Sequence, residues 1–268
     1  MNKNEISAEI LGSKKYANID PNIVERLCEE TIPKYPKRKD VVKAIKKELH
    51  IIHESFLGED CHQKAKSLIS NYNGSDLSSD KELTLKLLEL HSSTKERLTQ
   101  VDEIYSFISE YVSLENDVID LGCGFNPLVL PFFETKPKNY TALDINQATI
   151  ELLNYYFAQC KLPYQAGLCD AVGTAYEKQA DVLLLFKLFP LLERQKKGQA
   201  FEIIRSYNCK RYIISFPLKS ASGKEKGMEK YYTDFFEQGL PTYFSIKEKK
   251  IFDNEMFYIV TPTPLQRS

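Results

Sequence analysis

The stretch VIDLGCGFNP, residues 118–127, decides the fold. Its apolar start reads as a buried strand ending at Asp120, and Gly122 and Gly124 then carry the chain into a helix opened by Pro127. Two glycines let backbone come close to a ligand, and the start of a helix offers unused N–H groups. A dinucleotide fingerprint would need a third glycine where Pro127 stands, and does not characteristically carry an acid two residues before the first glycine. Asp120 is therefore expected to face a positively charged group on the ligand, directly or through water.

Outward from this turn the pattern alternates. Strands are expected near 117–121, 139–143, 163–167, 181–186 and 210–216, with a hairpin of 244–251 and 255–261 turning at Asp253-Asn254. Helices are expected at about 127–133, 147–160, 190–207 and 228–237. The expected fold class is α/β: a Rossmann-like, seven-stranded, mostly parallel sheet, with a helical N-terminal domain. The cofactor follows from three acids in order. Asp120 ends the first strand; Asp144, in YTALDIN, ends the second, where a carboxylate accepts ribose hydroxyls; Asp170, in GLCDA, follows the third, where it can accept from an adenine amine. An amino acid, a ribose and a purine along the strand ends describe S-adenosylmethionine, and make the expected fold a class I S-adenosylmethionine-dependent methyltransferase. Terminal aspartates and a G-x-G are also ordinary strand caps; the ordered set is what separates the two readings.

Before Asp117 the chain reads as helical. Asp20-Pro21 looks like an N-cap with proline in the first helical position, and Val41, Ile45, Leu49 and Ile52 repeat at helical spacing from Asp40. The polar segment 70–81 is the expected linker, dividing a domain of residues 1–75 from one of 76–268. Ser93 and Glu96 form an S-x-x-E capping box expected to start a helix through Val112. Arg97 would lie in the first turn of that helix, where a cation opposes the macrodipole unless an anion sits nearby.

The net charge of −1 hides a local excess of cations. Lys34, Lys37, Arg38, Lys39, Lys43, Lys46 and Lys47 face the single acid Asp40 between Pro33 and Lys47, and Lys14 and Lys15 are near in sequence. Such a run is commonly a solvated face, but beside a methyltransferase core it reads as a docking surface for folded RNA through its phosphates. Lys219, Lys224, Lys226 and Lys230 make a second patch with Met228 among them. Binding through such patches weakens steeply with salt. Six scattered cysteines show no C-x-x-C and no metal spacing, there is no secretory signal at the N-terminus, and the longest apolar run, 182–192, is too short for a bilayer. A cytoplasmic monomer, with no membrane, DNA or metal partner, is expected.

HSSTKERL (91–98), DLGCGFNPLVLPFF (120–133) and SFPLKSASGKEKGMEKYY (215–232) closely resemble the 16S rRNA guanine-N7 methyltransferases that confer aminoglycoside resistance, the Arm/Rmt family. SKKY (13–16) and KKELH (46–50) extend the resemblance through nearly the whole chain. It implies methyl transfer from S-adenosylmethionine to N7 of guanine 1405 in the decoding site of the 30S subunit, and Arg97 as partner of the cofactor carboxylate. Guanine N7 carries no proton, so no general base is needed. Consistently, LLLFKLFP (183–190) stands where enzymes acting on amines carry an [D/N/S]-P-P-[Y/F] motif. Lys187 and Lys219, near strand ends, are candidates for donating to guanine O6, and Phe216 for stacking on an extruded base. The rival readings are a methyltransferase acting on another nucleotide or a small molecule, and a non-catalytic RNA-binding assembly factor.

Overall fold

The computed structural model describes residues 1–52, 60–173, 179–219 and 227–263. Its centre is a seven-stranded sheet: β1 (Asp117–Leu121), β2 (Asn139–Asp144), β3 (Gln165–Leu168), β4 (Gln179–Phe186), β5 (Asn208–Pro217), β6 (Phe244–Ile251) and β7 (Glu255–Pro262), in the order β3-β2-β1-β4-β5-β7-β6. β1 to β5 run parallel, and the β6–β7 hairpin adds the antiparallel edge through β7 against β5. The order reverses between β1 and β4, and there the strand ends diverge and leave a crevice.

Buried strand residues alternate between two cores, as the pleat requires. Val182 and Leu184 join one cluster, with α5 (Lys81–Leu88), α7 (Val101–Ser109) and α8 (Gln147–Gln159). Leu183 and Leu185 join the other, with α9 (Phe189–Gln195), α10 (Gln199–Ser206) and α11 (Met228–Gly239). The single helix expected over 190–207 is thus two, parted at Gly198, whose φ of +84° suits glycine. The helix expected to be opened by Pro127 is a 3-10 segment, Asn126–Phe132, with Pro131 inside it.

A third cluster, Ile6 to Ile52, is built by α1 (Lys3–Leu11), α2 (Pro21–Thr31) and α3 (Arg38–Ile52). Asp20 caps α2 by accepting from the Asn22 amide at 2.9 Å, and α3 buries Val41, Val42, Ile45, Leu49 and Ile52. This unit is stitched to the loop after β2: Ile19 and Asn146 form a bridge, the Asp20 amide donates to the Ile145 carbonyl at 2.8 Å, and the Gln147 amide to the Asn18 carbonyl at 2.7 Å. Packing changes hands before residue 61, not at 75. Cys61, Ala65 and Ile69 of α4 (Cys61–Ser70), and Leu77 within the expected linker, belong to the cluster under the sheet.

The capping box does not form. His91 precedes α6 (Ser92–Lys95) without a side-chain cap, Ser93 lies inside that helix, and the expected long helix is replaced by a 3-10 turn, Leu98–Gln100, followed by α7. Arg97 falls between α6 and the 3-10 turn, not in a first helical turn.

Candidate active site

A pocket opens at the carboxyl ends of β1 to β4. The glycine turn forms its floor, with Asp144 to Asn146 after β2, Cys169 to Val172 after β3 and Phe186 to Leu188 at the end of β4 as walls. Ile23 of α2 and Ile52 of α3 close it from the N-terminal side, and His91, Thr94 and Arg97 from another.

The turn needs its glycines. Gly122 (φ +67°) and Gly124 (φ +49°) are left-handed. A Cβ on Gly122 would stand 2.8 Å from the Leu188 side chain, and one on Gly124 3.1 Å from the His91 ring. The amides expected to be free are partly used: Gly122 and Cys123 donate to the Leu143 carbonyl at 2.8 and 3.1 Å, and Gly124 to Asp144 Oδ2 at 2.9 Å. The turn is thereby clamped onto the end of β2.

The three acids take different positions. Asp144 lines the pocket, its Oδ1 accepting from the Asn146 amide at 3.0 Å, and burial pushes its carboxyl above the ordinary value. Asp170 also lines it, but in a bidentate pair with Arg26 of α2, at 2.6 and 3.1 Å. Asp120 does not reach the pocket wall. It is 1% exposed, and its Oδ2 accepts from Asn126 Nδ2 at 2.8 Å and Tyr140 OH at 2.6 Å. Asn126, absent from the sequence expectations, is the side chain that lines the pocket in its place.

Burial pushes the Asp120 carboxyl up to about 6, against the opposing hydrogen bonds from Tyr140 and Asn126 and the Arg97 charge. The folded state therefore holds this proton more tightly than the unfolded chain does. The stabilisation is complete below the unfolded value near 4 and is lost as pH rises through about 6, by up to about 3 kcal/mol for a shift of roughly two pH units. Asp120→Asn should remove that part of the pH dependence. Urea unfolding of both proteins from about pH 4 to about pH 7 checks it, and parallel curves would refute the assignment.

Two cations share one carboxylate. Glu255, at the start of β7, is 1% exposed and takes Arg97 Nε and Nη2 on its two oxygens, each at 2.7 Å. The same Oε2 lies 3.4 Å from Lys187 Nζ, and Ser215 Oγ donates to Oε1. Burial alone would raise the Glu255 carboxyl; Arg97 and Lys187 outweigh it and hold it below the usual carboxylate range. Arg97 Nη1 donates to Tyr105 OH and Asn126 Oδ1 at 3.3 and 3.1 Å. Of the five N–H groups of a guanidinium, one on Nη2 stays outside these bonds. Lys187 lines the pocket with φ +54°, a conformation a non-glycine residue rarely holds, and its ammonium also meets Glu96. The candidate guanine donor is thus already engaged by two carboxylates.

Phe216 presents no open face to a base. It is fully buried among Phe189, Tyr232, Phe236 and Tyr258, with ring centroids 5.1–6.0 Å away. Lys219 is exposed beyond β5, and Met228, at the start of α11, is half-buried. Lys224 and Lys226 lie outside the described residues. In the N-terminal unit Lys14, Lys15, Lys37, Lys43 and Lys47 are exposed, Lys46 is half-buried, and Arg38 is exposed and paired with Glu9 at 2.6 Å.

Comparison with known proteins agrees with this architecture. The family of ribosomal RNA methyltransferases (FmrO) matches residues 12–259. Over 97% of the chain and 98% of the relative, the sequence is 33% identical to a 16S rRNA (guanine(1405)-N(7))-methyltransferase of Serratia marcescens. A Proteus mirabilis protein of the same name is 31% identical over 96% of each chain. Among solved structures, the 16S rRNA methyltransferase RmtF in complex with S-adenosyl-L-homocysteine superposes with a TM-score of 0.89 at 31% identity, over 98% of this chain and 100% of that one. The 16S rRNA methylase RmtB gives 0.83 at 30% identity, over 98% and 99%. A parallel sheet with a glycine turn at its switch point, and likeness along almost the whole length, lead to one conclusion: the chain belongs to the ribosomal RNA methyltransferase (FmrO) family.

Proposed function

We propose that the protein transfers a methyl group from S-adenosylmethionine to N7 of guanine 1405 of 16S rRNA in the 30S subunit, in the cytoplasm, and thereby blocks 4,6-disubstituted deoxystreptamine aminoglycosides. What carries the reading is likeness over 97% of the chain to a protein named for that reaction. The pocket fits the donor. Gly122 and Gly124 border the pocket with left-handed backbone that carries no side chain, and the remaining Arg97 N–H suits a carboxylate. Asp144 accepts the ribose hydroxyls, Asp170 the purine amine, and Asp120 acts by holding Asn126 in place.

When bound, S-adenosylmethionine supplies an electrophilic methyl group. The protein has no proton to remove from N7, so its work is to align donor and base and to exclude water. Leu188, Leu191 and Leu192 give the pocket an apolar side suited to that exclusion. Lys187, fixed by Glu96 and Glu255, would present positive charge toward guanine O6 while keeping its partners. Lys219, Lys224, Lys226 and Met228 are proposed to approach the rRNA, and Lys14, Lys15, Lys37, Arg38, Lys43, Lys46 and Lys47 to hold its phosphates. Residues 1–52 form the docking unit and the sheet with its helices the catalytic one.

Incubating 30S subunits with labelled S-adenosylmethionine and the protein, then cleaving at N7-methylguanine with borohydride and aniline, tests the proposal. Scission at guanine 1405 is expected. Scission elsewhere would overturn the target, and absence of label would overturn the activity.

A further inference from the structure

Asp170 was read as a group the purine would meet, yet its strongest partner in the structure comes from the N-terminal helices. Arg26 lies three residues after Ile23 on α2, on the face turned to the pocket. Its Nε and Nη2 donate to the two oxygens of Asp170 at 2.6 and 3.1 Å, and Nη2 also donates to Gln195 Oε1 at 2.9 Å. Gln195, like Asp170, lines the pocket. Nη1 is steadied by Glu30 one turn further along α2, at 3.2 Å. The side chains of Arg26 and Asp170 are 13% and 3% exposed, so the pair is largely removed from water. A Cβ on Gly173 would sit 2.8 Å from Asp170 Oδ2 and 3.3 Å from Arg26 Cδ, so a glycine here lets the chain pass close to the pair.

A carboxylate gripped by a guanidinium fork can only accept hydrogen bonds. Each of its oxygens has two lone-pair directions. Oδ1 is filled by Arg26 and the Val172 amide at 3.1 Å, whereas among the described residues Oδ2 takes only Arg26. One acceptor direction is left over on a group at the pocket wall. It suits a purine with an amine at C6 and repels one with a carbonyl there, since two acceptors would then face each other. Without the guanidinium fork nothing fixes the carboxylate in this orientation, and the acceptor it presents to the purine is no longer held in place.

We propose that Arg26 is a positioning residue of the cofactor site, fixing Asp170 as an acceptor and so setting the preference for a 6-aminopurine over a 6-oxopurine. This rests on the reading of the pocket as the S-adenosylmethionine site. It also makes the N-terminal helices part of cofactor recognition, in addition to the docking role proposed for them.

Calorimetric titration of the full-length protein with S-adenosyl-L-homocysteine and its 6-oxo analogue, S-inosyl-L-homocysteine, tests it. The wild type should prefer the adenosyl compound by at least about tenfold. Arg26→Gln should lose most of that preference, Arg26→Lys should restore part of it, and Asp170→Asn, whose amide can donate, should shift it toward the inosyl compound. A merely structural role for Arg26 would weaken both ligands alike and leave their ratio unchanged, and that result overturns the proposal. Unchanged preference in Arg26→Gln beside a shifted one in Asp170→Asn would overturn it too. A wild type that bound neither ligand would instead bring down the cofactor reading, and this inference with it.

Discussion

Glu255→Ala should destabilise the protein by about 3–5 kcal/mol, the cost of stripping a buried ion pair of one partner. Glu255 is 1% exposed and Arg97 3%, so neither can turn to water for compensation. Removal takes the shared carboxylate from the Arg97 guanidinium and the Lys187 ammonium in the pocket wall; among the described residues, half-exposed Glu96 beside Lys187 and buried Asp120 near Arg97 are the counter-charges that stay. Ser215 Oγ loses its acceptor as well. Glu255→Gln, which keeps the shape and one carbonyl acceptor, should cost less. Urea unfolding at neutral pH reads both values; a loss under about 1 kcal/mol for the alanine variant would mean that the cations find other partners and that the carboxylate is not what holds them.

Phe216→Ala should cost a similar amount, about 3–5 kcal/mol, by opening a cavity in the aromatic cluster. The ring is enclosed by Phe189, Tyr232, Phe236 and Tyr258, which join α9, α11 and β7 through one contact point. Stacking on an extruded base and service in the core make opposite forecasts. A core ring changes the unfolding midpoint and leaves the turnover of the folded enzyme near wild type at low temperature. A stacking ring does the reverse. Parallel measurement of unfolding and of 30S methylation decides between them; a stable variant with lost turnover would return Phe216 to the active site.

The strands were legible because their apolar runs are bounded by glycine, proline, asparagine and aspartate, and each observed strand overlaps its expectation. The same alternation contained the correction for Phe216: it has the parity of Tyr212 and Ile214, which face the second core. Asp144, the last residue of β2, and Asp170, just beyond β3, could be placed at the carboxyl edge of the sheet because strand ends are recognisable from their pattern. Arg26 and Glu255 were invisible for the converse reason. Their partners are 144 and 158 residues distant, and no local spacing announces a bond of that kind. Ser93 and Glu96 misled through a spacing that is sufficient for a capping box only when no stronger partner competes. In the fold, Lys187 claims Glu96. The segment 70–81 misled by composition, since a few apolar side chains such as Leu77 are enough to anchor a polar loop.

The placement of Glu255 at the start of β7 bears on how the enzyme comes into being. Synthesis proceeds from the N-terminus, so the wall at Ile23, the glycine turn and Asp144 all exist before the carboxylate that neutralises Arg97 and Lys187. A nascent chain or a premature termination product ending before β7 lacks the carboxylate that Arg97 and Lys187 share, with Glu96 left to pair with Lys187 alone. Only when the final strand pairs with β5 does the charge balance close. A protein whose proposed target is the ribosome thus has a binding site whose charges balance only after the strand that follows every other part of the pocket has been translated.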